Sequence, residues 1–264
     1  VAGPRVRAEA GSRPPAATAV AHLSELFSSF QGEGPLVGVR QLFLRLAGCP
    51  VRCPYCDQPE ALTRTQEWRV EDTPGARDFR QLPNPVGADA LLEHVRRLER
   101  PAGLHHSLSV TGGEPLLQHR FLAEFLPEAR RVVDRVYLNT SGLVPDGLEA
   151  ILDHVHHVAL DVKLPSTAEA ACDLEATRRS LRLARRRDYF LKMVVGPRTT
   201  VDELRRVLEA LDAPPSVLVL QPLTPFGELR VPPPGLFLDL QRGLSGSGMD
   251  VRIIPQTHVY LQEL

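Results

Sequence analysis

Short apolar runs alternate with stretches of helical length along most of this chain, and few folds accommodate that pattern. The runs are Leu42–Leu46, Leu108–Val110, Arg135–Leu138, Val158–Leu164, Tyr189–Val195, Val217–Leu220 and Val251–Ile254. Between them lie amphipathic segments at Ala88–Leu98, Leu116–Arg131, Asp146–His154, Ala168–Arg186, Val201–Leu211 and Pro234–Leu244. Buried strands joined by helices can pair only in parallel, so the chain is expected to be α/β. About six or seven such units suit a partial (β/α) barrel better than an open dinucleotide-binding sheet, and no Gly-x-Gly-x-x-Gly follows the first run. The domain expected is 22–264. A leader at 1–21, rich in Ala, Pro and Arg, offers nothing to bury and is expected to be flexible. An insertion at 60–86 interrupts the alternation: Glu60–Pro85 holds the only Trp, shows no clear period and is expected to pack beside the loop Cys49–Cys56.

Composition removes several function classes. The 264 residues are 43% apolar, enough for a real core, and no run approaches the roughly 18 apolar residues of a membrane span. A formal net charge of −1 argues against nucleic-acid binding held by bulk charge. These features predict a cytoplasmic protein, bound to neither nucleic acid nor membrane.

Three of the four cysteines fall within eight residues, as Cys49-Pro-Val-Arg-Cys53-Pro-Tyr-Cys56. Neighbours this close are awkward to pair as disulfides, so a metal or cluster site is favoured. Three soft thiolates from one short loop can hold three irons of a [4Fe–4S] cube and leave the fourth open. Structural zinc normally takes four protein ligands. Cys172 lies far along the chain in a charged helical stretch and is read as incidental. Lys163 and Lys192 are the only lysines, against 29 arginines. In such a background, a retained lysine points to a need for a compact ammonium, although chance retention stays open.

The cysteine spacing, following an apolar strand and with Tyr55 before the last Cys, resembles the radical S-adenosylmethionine (SAM) superfamily. Thr111-Gly112-Gly113-Glu114-Pro115, after the next strand, resembles that superfamily's Gly-Gly-Glu-Pro element. Further points of similarity are Ser29-Phe30-Gln31-Gly32-Glu33-Gly34, Gly38, Phe43-Leu44-Arg45, Asp57 after Cys56, and Asp161-Val162-Lys163-Leu164-Pro165-Ser166. Gln221-Pro222 and Pro255-Gln256-Thr257-His258 complete the set, and together they resemble the 7-carboxy-7-deazaguanine synthase family. The resemblance runs from about Leu23 to His258, outside the insertion.

That resemblance implies a lyase of 7-deazapurine (queuosine) biosynthesis, which converts 6-carboxy-5,6,7,8-tetrahydropterin to 7-carboxy-7-deazaguanine and releases ammonia. A 5′-deoxyadenosyl radical from SAM would start a ring contraction and SAM would be re-formed, with Mg²⁺ assisting. Cys49, Cys53 and Cys56 would hold the [4Fe–4S] cluster. The pterin edge would be read by Phe30, Gln31, Gly32 and Glu33, its carboxylate by Arg45, with Thr111 and His258 in the same pocket. SAM would meet Tyr55, Cys56 and Asp57 at its adenine, Gly113 and Glu114 at its methionine, and Asp161 and Lys163 at its ribose and carboxylate. Ser141, Gln221 and Thr224 complete that set; around Asn139 and Ser141 the similarity is partial. Period 2 puts Asp161 and Lys163 on one face of a strand, where a buried charged pair marks either a site or a bridge. Lys192 also faces inward, with no role assigned.

One departure concerns Mg²⁺. The family carries Thr or Ser after the Cys-Asp pair, and this chain has Gln58, whose amide oxygen is an acceptable but longer-reaching ligand. The resemblance also implies a homodimer and an electron donor such as flavodoxin or ferredoxin. Two other readings stay open: a glycyl-radical-enzyme activase with the same cluster, and a zinc-stabilised binding module.

Overall fold

In the computed structural model, residues 19–169, 172–212, 215–224, 230 and 232–263 are described. The leader lies outside the described residues up to residue 18. Its last two residues are not loose: β1 (Val20–Ala21) pairs antiparallel with Val86–Gly87. Next come β2 (Leu23–Phe30) and β3 (Arg40–Leu46), an antiparallel pair, and then β4 (Glu67–Glu71), β5 (Phe79–Pro83) and β6 (Val86–Gly87). The remaining strands are β7 (Ser107–Gly112), β8 (Val136–Thr140), β9 (His157–Asp161), β10 (Asp188–Val195), β11 (Val217–Pro222) and β12 (Asp250–Ile253). The helices are α1 (Ala88–Leu98), α2 (His119–Ala129), α3 (Pro145–Ile151), α4 (Pro165–Ala168), α5 (Leu174–Ala184), α6 (Val201–Ala210), α7 (Leu236–Gly243) and α8 (Thr257–Leu261).

Ten strands form one sheet in the order β12-β11-β10-β9-β8-β7-β3-β2-β4-β5. From β3 to β12 every neighbouring pair is parallel, as the alternation of runs and helices requires. The sheet is open, so the architecture is a partial barrel rather than a closed one. Period 2 sorts its side chains. Leu42, Leu44, Leu108, Val110, Leu138, Leu160, Leu191 and Leu218 face the helices in the main core, each contributing about 1.5–3 kcal/mol on full burial. Their alternates Phe43, Ser109, Tyr137, Ala159, Phe190, Lys192 and Val219 turn to the other face, where a small cluster of Tyr137, Ala159, Phe190 and Val219 forms a second, minor core.

Several expected elements change on inspection. The strand expected at Val158–Leu164 ends at Asp161, because Pro165 starts α4. The helix expected at Ala168–Arg186 begins at Leu174, where the Asp173 side chain accepts from the Ala176 amide as N-cap. In α6, Thr200 accepts from the Glu203 amide, while the Glu203 carboxylate turns to the Ser166 amide and ties the helix to α4. The insertion is regular structure. After a 3₁₀ turn at Pro59–Leu62, β4 and β5 form a hairpin that joins the sheet through β2, with Glu25 opposite Arg69. Trp68 and Val70 point inward from β4, and Trp68 is 1% exposed, edge-on to His94. The insertion's 3₁₀ turn lies beside the cysteine loop, with the Ala61 carbonyl accepting from the Gly48 amide. The hairpin therefore extends the sheet edge instead of packing against that loop.

Candidate active site

At the C-terminal ends of the parallel strands lies a cavity of about 170 Å³, the place where open α/β sheets bind ligands. Adjacent strands deliver its polar lining: Arg45 pairs in register with Thr111, Lys192 with Asp161, and Val194 with Gln221. Every site residue expected from the sequence lines this cavity except Glu114: Phe30, Gln31, Gly32, Glu33, Arg45, Thr111, His258, Cys49, Cys53, Tyr55, Cys56, Asp57, Gln58, Gly113, Ser141, Asp161, Lys163, Gln221 and Thr224. Ser109, Lys192 and Gln256 join them without having been assigned.

Glu114 acts one step back. It is 1% exposed; one carboxylate oxygen accepts from Leu116 N at 3.1 Å and Thr140 Oγ1 at 2.8 Å, the other from the Ser141 amide at 2.8 Å and its hydroxyl. Burial pushes this carboxyl up, and the Ser141, Thr140 and Leu116 donors pull it partly back. Glu114 thus welds the turn after β7 to the end of β8. The glycines before it serve the same turn. Gly112 has φ +138°, and a Cβ there would lie 2.0 Å from the Leu46 carbonyl oxygen; at Gly113 it would lie 2.3 Å from that of Gly48. The turn is seated on the backbone that leads into Cys49, with Gly113 N donating to Leu46 O and Glu114 N to Gly48 O. Gly113→Ala is expected to push that backbone away, costing about 1–3 kcal/mol of stability by overpacking and lowering iron uptake. Thermal melts and iron assays on the variant check both.

A buried chain of charge crosses the cavity. Lys192 Nζ lies 2.7 Å from Glu33 Oε2 and 3.1 Å from Asp161 Oδ2, and Lys163 Nζ is 3.2 Å from the same Asp161 oxygen. Gln221 and Gln256 both donate to Glu33 Oε1, at 3.0 and 2.8 Å. Burial alone would raise the Glu33 and Asp161 carboxyls; Lys192 outweighs it at Glu33, Lys163 and Lys192 outweigh it at Asp161, and both carboxyls sit below their ordinary values. Burial would lower Lys192, yet Asp161 and Glu33 hold its ammonium above its ordinary value. Asp161 and Lys163 therefore do meet, although the strand stops between them.

Other expected contacts are taken up within the protein. Arg45 donates through Nε to Glu25 at 2.6 Å, and Glu25 also binds Arg69. Among the described residues the terminal nitrogens of Arg45 make no hydrogen bond, and they are its part left for a ligand. Gln31 donates to Gln41 at 2.9 Å and accepts from the Glu33 amide at 3.0 Å, so its side chain shapes the loop. His258 lies against Gly32, where a Cβ would fall 2.0 Å from its Nδ1, and Thr257 N donates to Gly32 O. This contact brings the last helix onto the Gln31–Glu33 loop.

The thiols of Cys49, Cys53 and Cys56 are raised by burial, with Lys163 pulling the other way. Among the described residues, no three His, Cys, Asp or Glu side chains converge on one point as a single metal ion requires. In a cube each thiolate binds its own iron, so three ligands from one loop need not converge. Among the described residues, buried polar atoms on the lining without a hydrogen-bond partner include Ser109 Oγ, Asp161 Oδ1 and Gln221 Oε1, as expected where a polar ligand docks. The donor set and these orphaned atoms fit a cluster-bound SAM. Mg²⁺ fits less well: Asp57 Oδ2 already accepts from Gln256 Nε2 at 2.7 Å, and no hydroxyl follows Asp57.

Comparison with known proteins agrees with this geometry. Residues 44–211 match the model of the radical SAM superfamily. A 7-carboxy-7-deazaguanine synthase from Geobacter sulfurreducens is 41% identical over 250 residues, covering 92% of this chain and 98% of that one. One from Methanothermobacter thermautotrophicus is 34% identical over 259 residues, covering 90% and 96%. Among solved structures, QueE from Escherichia coli superposes with a TM-score of 0.57 at 19% identity, covering 89% and 93%, a likeness of fold.

Proposed function

The chain belongs to the radical SAM superfamily and, within it, to the 7-carboxy-7-deazaguanine synthase family, and from that premise we propose how its cavity works. It is a radical SAM lyase that takes 6-carboxy-5,6,7,8-tetrahydropterin to 7-carboxy-7-deazaguanine and ammonia. The observation that carries this reading is the convergence of the three cysteines and the Gln31–Glu33 loop on one cavity.

Cys49, Cys53 and Cys56 would hold the [4Fe–4S] cluster, which with SAM supplies a carbon radical able to abstract hydrogen. The protein's own task is placement and the exclusion of water. Glu33, kept ionised by Lys192, offers an acceptor to the amino and amide edge of the pterin. The terminal nitrogens of Arg45, held in place by Glu25, offer a cation to the substrate carboxylate. Asp161 and Lys163, beside the cysteine loop, offer one acceptor and one ammonium to the SAM side, and Lys163 lies 5.3 Å over the Tyr55 ring. Lys192 touches the acids of both sets and would hold them at a set spacing. His258, packed on Gly32, closes the substrate end.

Only ammonia is lost, so the conversion consumes no net electrons, and the product formed should exceed the SAM consumed. The test is anaerobic turnover of the reconstituted chain with the pterin, following ammonia and the deazapurine absorbance. Reductive SAM cleavage without product, on this substrate, would contradict the assignment and favour the activase reading. A flavodoxin- or ferredoxin-type donor and a homodimeric state belong to the same proposal. Because Gln256 already engages Asp57 Oδ2 and no hydroxyl follows Asp57, Mg²⁺ is read as an adjunct. Turnover in EDTA is expected to stay within about twofold of that in Mg²⁺, and an assay in the two buffers checks this.

A further inference from the structure

The end of the sheet opposite the cysteine cavity carries an open cleft of about 750 Å³, lined by five arginines, two histidines and only two aspartates. Its residues precede or begin β8, β9 and β10, or close α2, so they lie at the N-terminal ends of strands whose C-terminal ends form the active site. For a chain of net charge −1, this is a strong local excess of guanidinium.

The centre of the cleft is short of acceptors. The His156 Nδ1 accepts from the Val136 amide at 3.1 Å, so that nitrogen carries no proton. Burial and the Arg130 guanidinium both hold this imidazole below its ordinary value, which keeps it neutral. Its one proton is therefore on Nε2, and Nε2 faces Arg130 Nη2 at 3.3 Å, a nitrogen that can also only donate. The rest of Arg130 fares no better. Among the described residues its Nε is buried with no partner, and its Nη1 reaches only the Asp153 carbonyl at 3.5 Å. Nearby, Arg135 is braced on His106 Nε2 at 3.1 Å. Buried donors normally find acceptors, and two donors facing each other at this distance call for one shared group with several acceptor oxygens. The surrounding guanidinium charge favours an anion, and the arginine fork matches the oxygens of a phosphate group.

We propose that this cleft is a binding site for a phosphate group, held by Arg130 and the Nε2–H of His156, with Arg135 at its rim. The site is separate from the lyase reaction and does not depend on the functional reading above. The group could arrive as free phosphate, as a nucleotide monoester or as an RNA phosphodiester, and these sources differ in the experiment.

The test is calorimetric titration of the reconstituted holoenzyme with inorganic phosphate at constant ionic strength, with chloride as the control. Saturable phosphate binding is expected, weakened at least tenfold in Arg130→Gln and by a smaller factor in Arg135→Gln. Formation of 5′-deoxyadenosine should be unchanged in both variants. Repeating the titration with 5′-AMP and with a short RNA identifies the source, counting only binding that Arg130→Gln removes, since the SAM cavity could also take a nucleotide. Tighter binding of AMP supports a monoester and of RNA a diester. No saturable binding above chloride, or equal phosphate binding by wild type and both variants, overturns the proposal.

Discussion

Lys192→Met is expected to destabilise the protein by about 3–5 kcal/mol, because it leaves two buried carboxylates without their shared ammonium. Lys192 is 4% exposed and touches both Glu33 and Asp161. In the variant, Lys163 still serves Asp161, but Glu33 keeps only the amides of Gln221 and Gln256. The pH dependence has a definite sign. Glu33 and Asp161 sit below their ordinary values, so their contribution is complete above the usual carboxylate range and is lost as pH falls through the lowered values. Without Lys192 that acid limb moves to higher pH. The pterin KM should rise with it, by about a hundredfold if two charge-assisted contacts to substrate are misplaced. Urea denaturation across pH 4–8, together with steady-state kinetics, checks the prediction. A variant as stable as wild type at neutral pH would show that the charge chain is ornamental.

Cys53→Ala is expected to abolish reductive SAM cleavage, a loss of about a thousandfold or more, and to reduce the iron bound by the anaerobic protein. The fold should survive, since the main core of buried apolar residues contains none of the three cysteines. The melting temperature of the metal-free variant is therefore expected to match that of the metal-free parent. Cys172→Ser is the control: that cysteine is absent from the cavity lining, and its loss should change neither iron content nor cleavage. The assay is 5′-deoxyadenosine formation under dithionite.

Much of this was legible in the sequence, for reasons that also mark the limits. The parallel strands were readable because each is a mostly apolar run buried on both of its faces, as Leu42–Leu46 shows. β2 was not, because its Ser28 is satisfied from far away, by His105, Arg40 and the Glu71 carboxylate. No local pattern announces such partners. The hairpin inside 60–86 had one signal, Trp68 and Val70 at period 2, but β5 beyond it is largely exposed and carries none. At the site, the cysteine spacing stood out because one short loop supplies all three ligands. Glu114 misled, since Thr140 and Ser141, which saturate it, come 26 and 27 residues later. Lys192 stood out only by its rarity, and its partner Glu33 is 159 residues away. Tertiary pairing decides which polar groups are left over for a ligand.

The central claim is that the loop Cys49–Cys56 carries an iron–sulfur cube with one iron available to SAM. Iron and sulfide analysis of the anaerobically reconstituted chain, combined with electron paramagnetic resonance before and after SAM addition, addresses it directly. About four iron and four sulfide per chain, with a reduced-cluster signal that changes when SAM is added, is the predicted result. One zinc without iron, or a cluster signal indifferent to SAM, would contradict it.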